Sequence, residues 1–424
     1  MPIPGGTDQF HLIEVLERNP SLYELCQELP LLADKLQELD RNPVVGSLNI
    51  QTYQTVSHIR QDPLVKWPVV ILLHSMGRDA IRSVIMGTVA YDDHRQALWY
   101  PDPQPGLKEA GIYVLGLACS GQNGQFLNNK ELALLVEGLG RYRLGSAILK
   151  SNPNTTDATE QGHIKWVNKV DSAFQSSDKR IAFFNTKASD DKIIVELATR
   201  LHLRITGLDL TGDVRHHQSP LYVGCSTDLW DRFNNYKLKR LSRINKSIGL
   251  TLSVLRALGV DMDLVSRVVI RTWEVDQLSL AERLVTTLAG SLICQTGFNT
   301  TQAGSQTGKD ISSATLADGK KAVDKDRTFL FDNVSLTLET MDDRDEQVQL
   351  LADLNEALDS LAGKIGIMER EFKHLDGIPN ASVVLQALDR RKLEQEAKLK
   401  KLRERLRFAE TVYVFKQVIL AAYQ

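Results

Sequence analysis

Residues 221–233, "LYVGCSTDLWDRF", place a tyrosine at the end of an apolar run and an arginine shortly after it. Tyr222 and Gly224 end a short strand-like segment. Ser226 or Asp228 can cap the helix that follows, and Arg232 falls in its first turns. Further on, Glu282 stands early in "LSLAERLVTTLAGSLI" (278–293), where Ala281, Leu284, Val285 and Leu288 mark an apolar helical stripe. Asn299, in "TGFN", lies just beyond that helix. A phenol, a guanidinium and a carboxylate meeting on one face suit phosphodiester cleavage. The planar guanidinium fork binds phosphate oxygens and stabilises the charge added in the transition state. A carboxylate can hold one hard cation such as Mg²⁺, which keeps most of its waters and stabilises a leaving oxygen. A tyrosine beside both can help to deprotonate a water.

Each residue also has an ordinary use. Tyr222 fits a strand at a core edge, and Arg232 fits an i,i+4 pair with Asp228. Glu282 fits a solvent-facing helix position, and Asn299 fits a turn. The order of the four, rather than any one of them, carries the chemical reading.

To meet, these groups need a sheet with helices beside it. "GIYVLGLA" (111–118) and "SRVVIRTW" (266–273) read as strands by their β-branched and apolar runs. "RIAFFNT" (180–186) and "LRITGLDL" (203–210) read as two more, around the helix "DDKIIVELATRL" (190–201). "NNKELALLVEGLGRY" (128–142) reads as a helix capped by Asn128 or Asn129. This order of strands and helices indicates a mixed α/β or α+β fold.

The surroundings divide by composition. Residues 8–41 read as helices broken at Pro20 and Pro30, and 68–92 as a buried strand or helix followed by a helix. The proline-rich "YPDPQPG" (100–106) marks a boundary, giving a helix-rich N-terminal domain over 1–105 and a site domain over 106–299. Residues 300–326, small and polar, read as a mobile linker. Over 327–424, Leu351, Leu354, Leu358, Leu361, Ile365, Met368, Phe372 and Leu375 form a heptad seam. "DGIPN" (376–380) ends it, and a second helix carries Leu385, Leu388, Leu399, Leu402 and Leu406. The pair reads as an α-helical hairpin or coiled coil, its seam joining either its own two helices or two chains.

The residues of the central region resemble the GIY-YIG nuclease family. "YVG" (222–224) is similar to the second half of that family's signature, and the literal "GIY" stands at 111–113. "GCSTDLWDR" resembles the stretch that ends at the family's catalytic arginine, here Arg232. "AERLVTTLAGSLICQTGFN" resembles the helix with its metal-binding glutamate, here Glu282, and the later asparagine, here Asn299. Tyr236 stands one turn after Arg232, where many members carry histidine. The resemblance covers about 110–310 and is concentrated in 221–299. It implies a small domain with a three-stranded antiparallel sheet, one Mg²⁺ or Mn²⁺ and hydrolysis of DNA. Tyr113 and Tyr222 would position and deprotonate the attacking water, with Arg232, Tyr236 and Asn299 completing the site.

Tyr113 and Tyr222 are separated by far more than a common loop length. Either a folded insertion separates the first two strands, or "LRITGLDL" is the first strand and Thr206 takes the tyrosine's place. The second arrangement implies a degenerate domain that binds nucleic acid or acts as a scaffold. Lys237, Lys239, Arg240, Arg243 and Lys246 form a basic stripe beside the site, either a phosphate track or a solvated helix face. The interleaved run at 390–407 reads as a solvated helix face or as a nuclear-targeting or DNA-contacting segment. "VVILLHSMGRDAI" (69–81) gives a different enzyme class, a hydrolase elbow at His74-Ser75. Leu73 occupies the position where that sharp turn favours glycine.

Four scattered cysteines without a CxxC pair make a zinc site unexpected and suit a reducing compartment. The first twenty residues lack a secretory pattern, and no apolar run approaches the ~20 residues of a membrane span. The expected setting is intracellular, the nucleus ahead of cytoplasm or mitochondrion. The expected partners are DNA and whatever the C-terminal helices bind, with no membrane.

Overall fold

A computed structural model describes residues 7–41, 63–96, 99–172, 182–205, 207, 209–236, 244–304, 308–325 and 329–343, with scattered positions from 353 to 400. The chain forms two compact units, Met1–Asn333 and Val334–Gln424. The first is an α+β unit: many helices around one small antiparallel sheet.

The sheet has the order β2–β1–β3, with β1 Gly111–Cys119, β2 Tyr222–Ser226 and β3 Met262–Arg271. Its central strand is buried along its whole length, which explains its unbroken apolar sequence. β1 and β2 pair antiparallel with Tyr113 opposite Gly224 and Leu115 opposite Tyr222. β3 pairs with the other edge of β1, and the register shifts between Ile112 and Tyr113, leaving Val269 as an extra residue. Such a bulge re-aims a nearby side chain, here that of Tyr113.

The described residues between β1 and β2 form a folded insertion. It contains α6 Asn129–Ser151, α7 Ala158–Ser172 and α8 Ala188–His202. Asn128 caps α6 in a reciprocal box with Glu131. α6 packs on α7, α8 and α10 (Lys246–Leu258). The strand paired with Tyr222's strand is thus the one that holds Tyr113. Residues 203–210, expected as a strand, form turns where they are described, and Thr206 lies outside the described residues. Leu210 is almost fully exposed, and the Asp209 carboxylate takes the N–H groups of Thr211, Gly212 and Val214. The expected strand at 180–186 is also replaced by turns over 182–186. The Asp171 carboxylate and the Tyr142 hydroxyl accept from the N–H groups of Phe183 and Phe184, which a neighbouring strand would otherwise need.

The N-terminal helices are α1 Thr7–Arg18, α2 Tyr23–Asp40, α3 Pro63–His74, α4 Arg78–Met86 and α5 Val89–His94. Pro20 separates the first two, but Pro30 sits inside α2 without ending it. Burial of Leu25, Cys26, Leu29, Ala33 and Leu36 along that helix outweighs the local cost. Residues 69–74 are helical, so the hydrolase elbow does not form. An apolar segment this short suits either a buried strand or a helix buried on all sides. Ser75 Oγ donates to Leu72 O, His74 Nδ1 bonds to Val70 O, and both residues are buried.

α3 and α4 pack on α11 (Gln277–Ala289), which lies against β2 and β1. The proline-rich joint at 100–106 therefore runs within the first unit. The expected linker at 300–326 does the same. It forms a 3-10 turn at Gly308–Asp310 and α12, Ser313–Lys325, which packs on β3. Its small residues permit this close approach. No described helix is long and apolar enough to cross a membrane. In the second unit the heptad positions and the 376–380 break lie outside the described residues. The described positions between 390 and 400 are helical and exposed.

Candidate active site

Two neighbouring strands bring Tyr113 and Tyr222 together. Tyr113 points over Gly224, and its ring centroid lies 6.4 Å from that of Tyr222. Gly224 has no side chain to obstruct it. A Cβ there would come within 2.3 Å of Tyr113 Oη, so the register admits only glycine.

Helix α9, Leu229–Asn235, supplies the cation. Asp228 caps it by accepting from the Asp231 N–H at 3.0 Å. Arg232 Nε donates to Tyr113 Oη at 2.9 Å, and its guanidinium lies 5.1 Å from the centroid of the Tyr236 ring. The hydroxyls of Tyr113 and Tyr236 are 2.5 Å apart. Phe233 packs edge-on against Tyr113, with centroids 5.8 Å apart. Arg232 is therefore braced by two phenols that are themselves packed in place.

Glu282 sits on α11 and approaches from the other direction. Its Oε2 accepts from the Gly304 N–H at 2.7 Å, and the Cys225 thiol donates to the same carboxylate. The carboxylate and the Arg232 guanidinium lie within each other's field, and Tyr222 also feels its charge. Asn299 acts as a backbone mimic on the outer edge of β2. Its Oδ1 accepts from the Val223 N–H at 2.9 Å and its Nδ2 donates to Val223 O at 2.7 Å. This edge strand is thereby satisfied and fixed.

Burial divides the constellation into two layers. Tyr113 is 0 % exposed and Tyr236 5 % exposed. Tyr222, Cys225, Arg232 and Glu282 are partly exposed. The expectation that Tyr113 handles the attacking water is therefore corrected: a fully buried hydroxyl cannot touch a substrate, and it holds Arg232 instead. Of the two tyrosines, Tyr222 is the one that solvent reaches.

Titration follows the same division. Burial pushes the phenols of Tyr113, Tyr222 and Tyr236 above their ordinary value, so each is a neutral hydroxyl near pH 7. Burial opposes the charge on Arg232, but the oxygens of Tyr113 and Tyr236 overcome that and hold its pKa above the usual arginine value. Desolvation raises Glu282, and the Gly304 N–H and Cys225 thiol only partly counter it. A carboxylate desolvated in this way gains from a nearby cation.

Among the described residues no group of three His, Cys, Asp or Glu side chains could hold a metal ion. Mg²⁺ accepts a single hard carboxylate oxygen when waters fill its other positions, and Glu282, partly exposed, is the carboxylate of this cluster that could supply one. The basic stripe fares differently. Lys237, Lys239, Arg240 and Arg243 lie outside the described residues. Lys246 bonds to Asp190 at 3.2 Å, so its charge is already matched.

Three further residues support Glu282. Gly304 takes φ +78°, and a Cβ there would fall 2.3 Å from Arg283 Nε. Ser279 Oγ and Arg283 Nη2 donate to Gly304 O at 2.9 and 3.4 Å. A lone glycine in a polar stretch gives no sign of this role, though Ser279 and Arg283 flank Glu282 closely in the chain.

No protein-family model, curated protein or solved structure matches the chain. The chemistry of the site itself must carry the functional reading.

Proposed function

We propose that the chain is a metal-dependent DNA endonuclease with a GIY-YIG-like site. The observation that carries this reading is the bond from Arg232 Nε to Tyr113 Oη, made where Tyr222 and Glu282 share the same electrostatic neighbourhood. A sheet whose first two strands carry the two tyrosines, joined through a helical insertion, supports it as well.

In this reading Arg232 binds a non-bridging phosphate oxygen and meets the extra negative charge as the phosphorus gains its fifth ligand. Tyr113 and Tyr236 fix the direction of that fork, which remains fully charged. Tyr222 stays neutral, so its oxygen orients a water by hydrogen bonding rather than acting as a strong base. The water oxygen forms the new bond to phosphorus as the bond to the ester oxygen breaks, and the proton that the water loses passes through solvent to the departing oxygen. Glu282 would hold Mg²⁺ or Mn²⁺, which when bound acidifies a water and stabilises the leaving oxygen. Asn299 keeps β2, and with it Tyr222, in place.

The test is nicking of supercoiled plasmid in Mg²⁺ or Mn²⁺. Wild-type protein converts it to open circle, and Glu282→Ala loses about 10²-fold or more in rate while its circular dichroism is unchanged. Undiminished cleavage by that variant removes Glu282 from the mechanism. A degenerate binding or scaffold protein would instead retain DNA in a salt-sensitive way and cleave it with neither metal.

A further inference from the structure

Arg204 is the residue after the C-cap of α8, and its side chain turns inward. It is 7 % exposed. Its Nη2 donates to Thr296 O at 3.0 Å. Its Nη1 is buried and has no hydrogen-bond partner. No carboxylate among the described residues offsets its charge. Burial alone draws its pKa down to about 10, so the group is still a cation at neutral pH.

A lone buried cation is costly, and proteins normally pair such groups. Every other described arginine of comparable burial has charged or multiple polar partners: Arg271 pairs with Glu109, and Arg283 bonds the carbonyls of Ala303 and Gly304. Next to Arg204 stands His216, whose imidazole pKa is pushed down first by burial and then by the guanidinium's charge, with the Asp209 carboxylate opposing both. His216 Nε2 is tied to Asn129 Oδ1 at 3.1 Å, which fixes the ring. The Asp209 carboxylate acts on that ring but not on the guanidinium, which keeps an open N–H donor.

We propose that Arg204 is the anchor of a buried site for a small oxyanion of phosphate or sulfate size. The anion takes the open Nη1–H and neutralises the guanidinium. Its placement gives it a consequence. Thr296 belongs to the loop that closes on Gly290 and carries Asn299, and Asn299 clamps β2. Arg204 itself joins the end of α8 to the segment that holds the site strand, through Thr296 O, and an anion that neutralises the guanidinium steadies this join. The inference does not depend on catalysis, and its test reads binding alone.

The experiment is thermal unfolding of the full chain in rising sodium phosphate, against sodium chloride at matched ionic strength. Wild-type protein gains a rise that grows with the logarithm of phosphate concentration above Kd and reaches about 5 °C at roughly a hundred times Kd. Arg204→Met shows only the gradual rise that phosphate gives any protein by exclusion from its surface. Wild-type protein also broadens the ³¹P line of phosphate in proportion to protein added. Parallel rises in the two proteins, or an unbroadened line, overturn the proposal and leave a water as the partner of Nη1. If Arg204→Met does not fold, Arg204→Lys decides with the ³¹P measurement: it keeps the charge but lacks the fork, so wild type must bind phosphate at least tenfold more tightly. Equal affinity of the two proteins excludes the fork as the anchor.

Discussion

Tyr113 and Gly224 face each other across β1 and β2, and the tyrosine oxygen fills the space that a side chain at 224 would need. One missing methyl group therefore sets how the signature strands can pair. Gly224→Ala should destabilise the first unit by about 1–3 kcal/mol, because Tyr113 is hemmed in by Phe233 and Tyr236 and cannot retreat. Gly140→Ala is the control. Its Cβ would meet nothing within 4 Å in the middle of α6, and alanine favours helix by about 0.5–1 kcal/mol. Urea titrations of the two variants should move in opposite directions.

Tyr113→Phe removes one oxygen and leaves two neighbours short. Arg232 Nε loses its acceptor and Tyr236 Oη loses its partner. Each buried group left unsatisfied costs about 1–3 kcal/mol. Tyr113 does not reach the surface, so DNA affinity should stay within about twofold while kcat falls roughly 10- to 100-fold through loss of guanidinium alignment. An unchanged kcat would show that Arg232 does not need this brace.

Much of this arrangement is legible in the chain because it is local. The Asn128–Glu131 box, the run 111–119 and the segment 221–232 each carry their signal within a few residues. What is not legible depends on distant partners. The strand expected at 180–186 fails because the Asp171 and Tyr142 side chains claim the N–H groups of Phe183 and Phe184, and the one expected at 203–210 runs as turns where it is described, into the loop that Asp209 gathers through the N–H groups of Thr211, Gly212 and Val214. The stretch 300–326 looks like a linker because its residues are small, yet smallness lets Gly304 approach Arg283 and α12 approach β3. Residue type alone also cannot tell that Tyr113 is buried and Tyr222 is not, since both stand on strands of one sheet.

His74 supplies a pH test of the N-terminal core. The ring is buried, and that burial lowers its pKa to about 4 against the hydrogen bond to Val70 O. The unfolded chain, with a pKa near 6.5, then binds more protons than the folded one between pH 6.5 and 4. Stability must therefore fall as pH drops through that window, by roughly 3 kcal/mol in all for this group. In His74→Phe the loss between pH 7 and 4 should be smaller by about that amount, read from urea unfolding at each pH.

The central claim is that Arg232 and Glu282 work on one phosphate. Single-turnover cleavage of end-labelled duplex DNA in Mn²⁺ by wild type, Arg232→Ala, Glu282→Ala and the double variant tests it most directly. Residues acting as a unit are non-additive. Each single variant should therefore lose about 10²-fold or more, and the double variant little beyond the worse single. Wild-type protein that never cleaves, or single losses that simply multiply in the double variant, would contradict a shared catalytic centre.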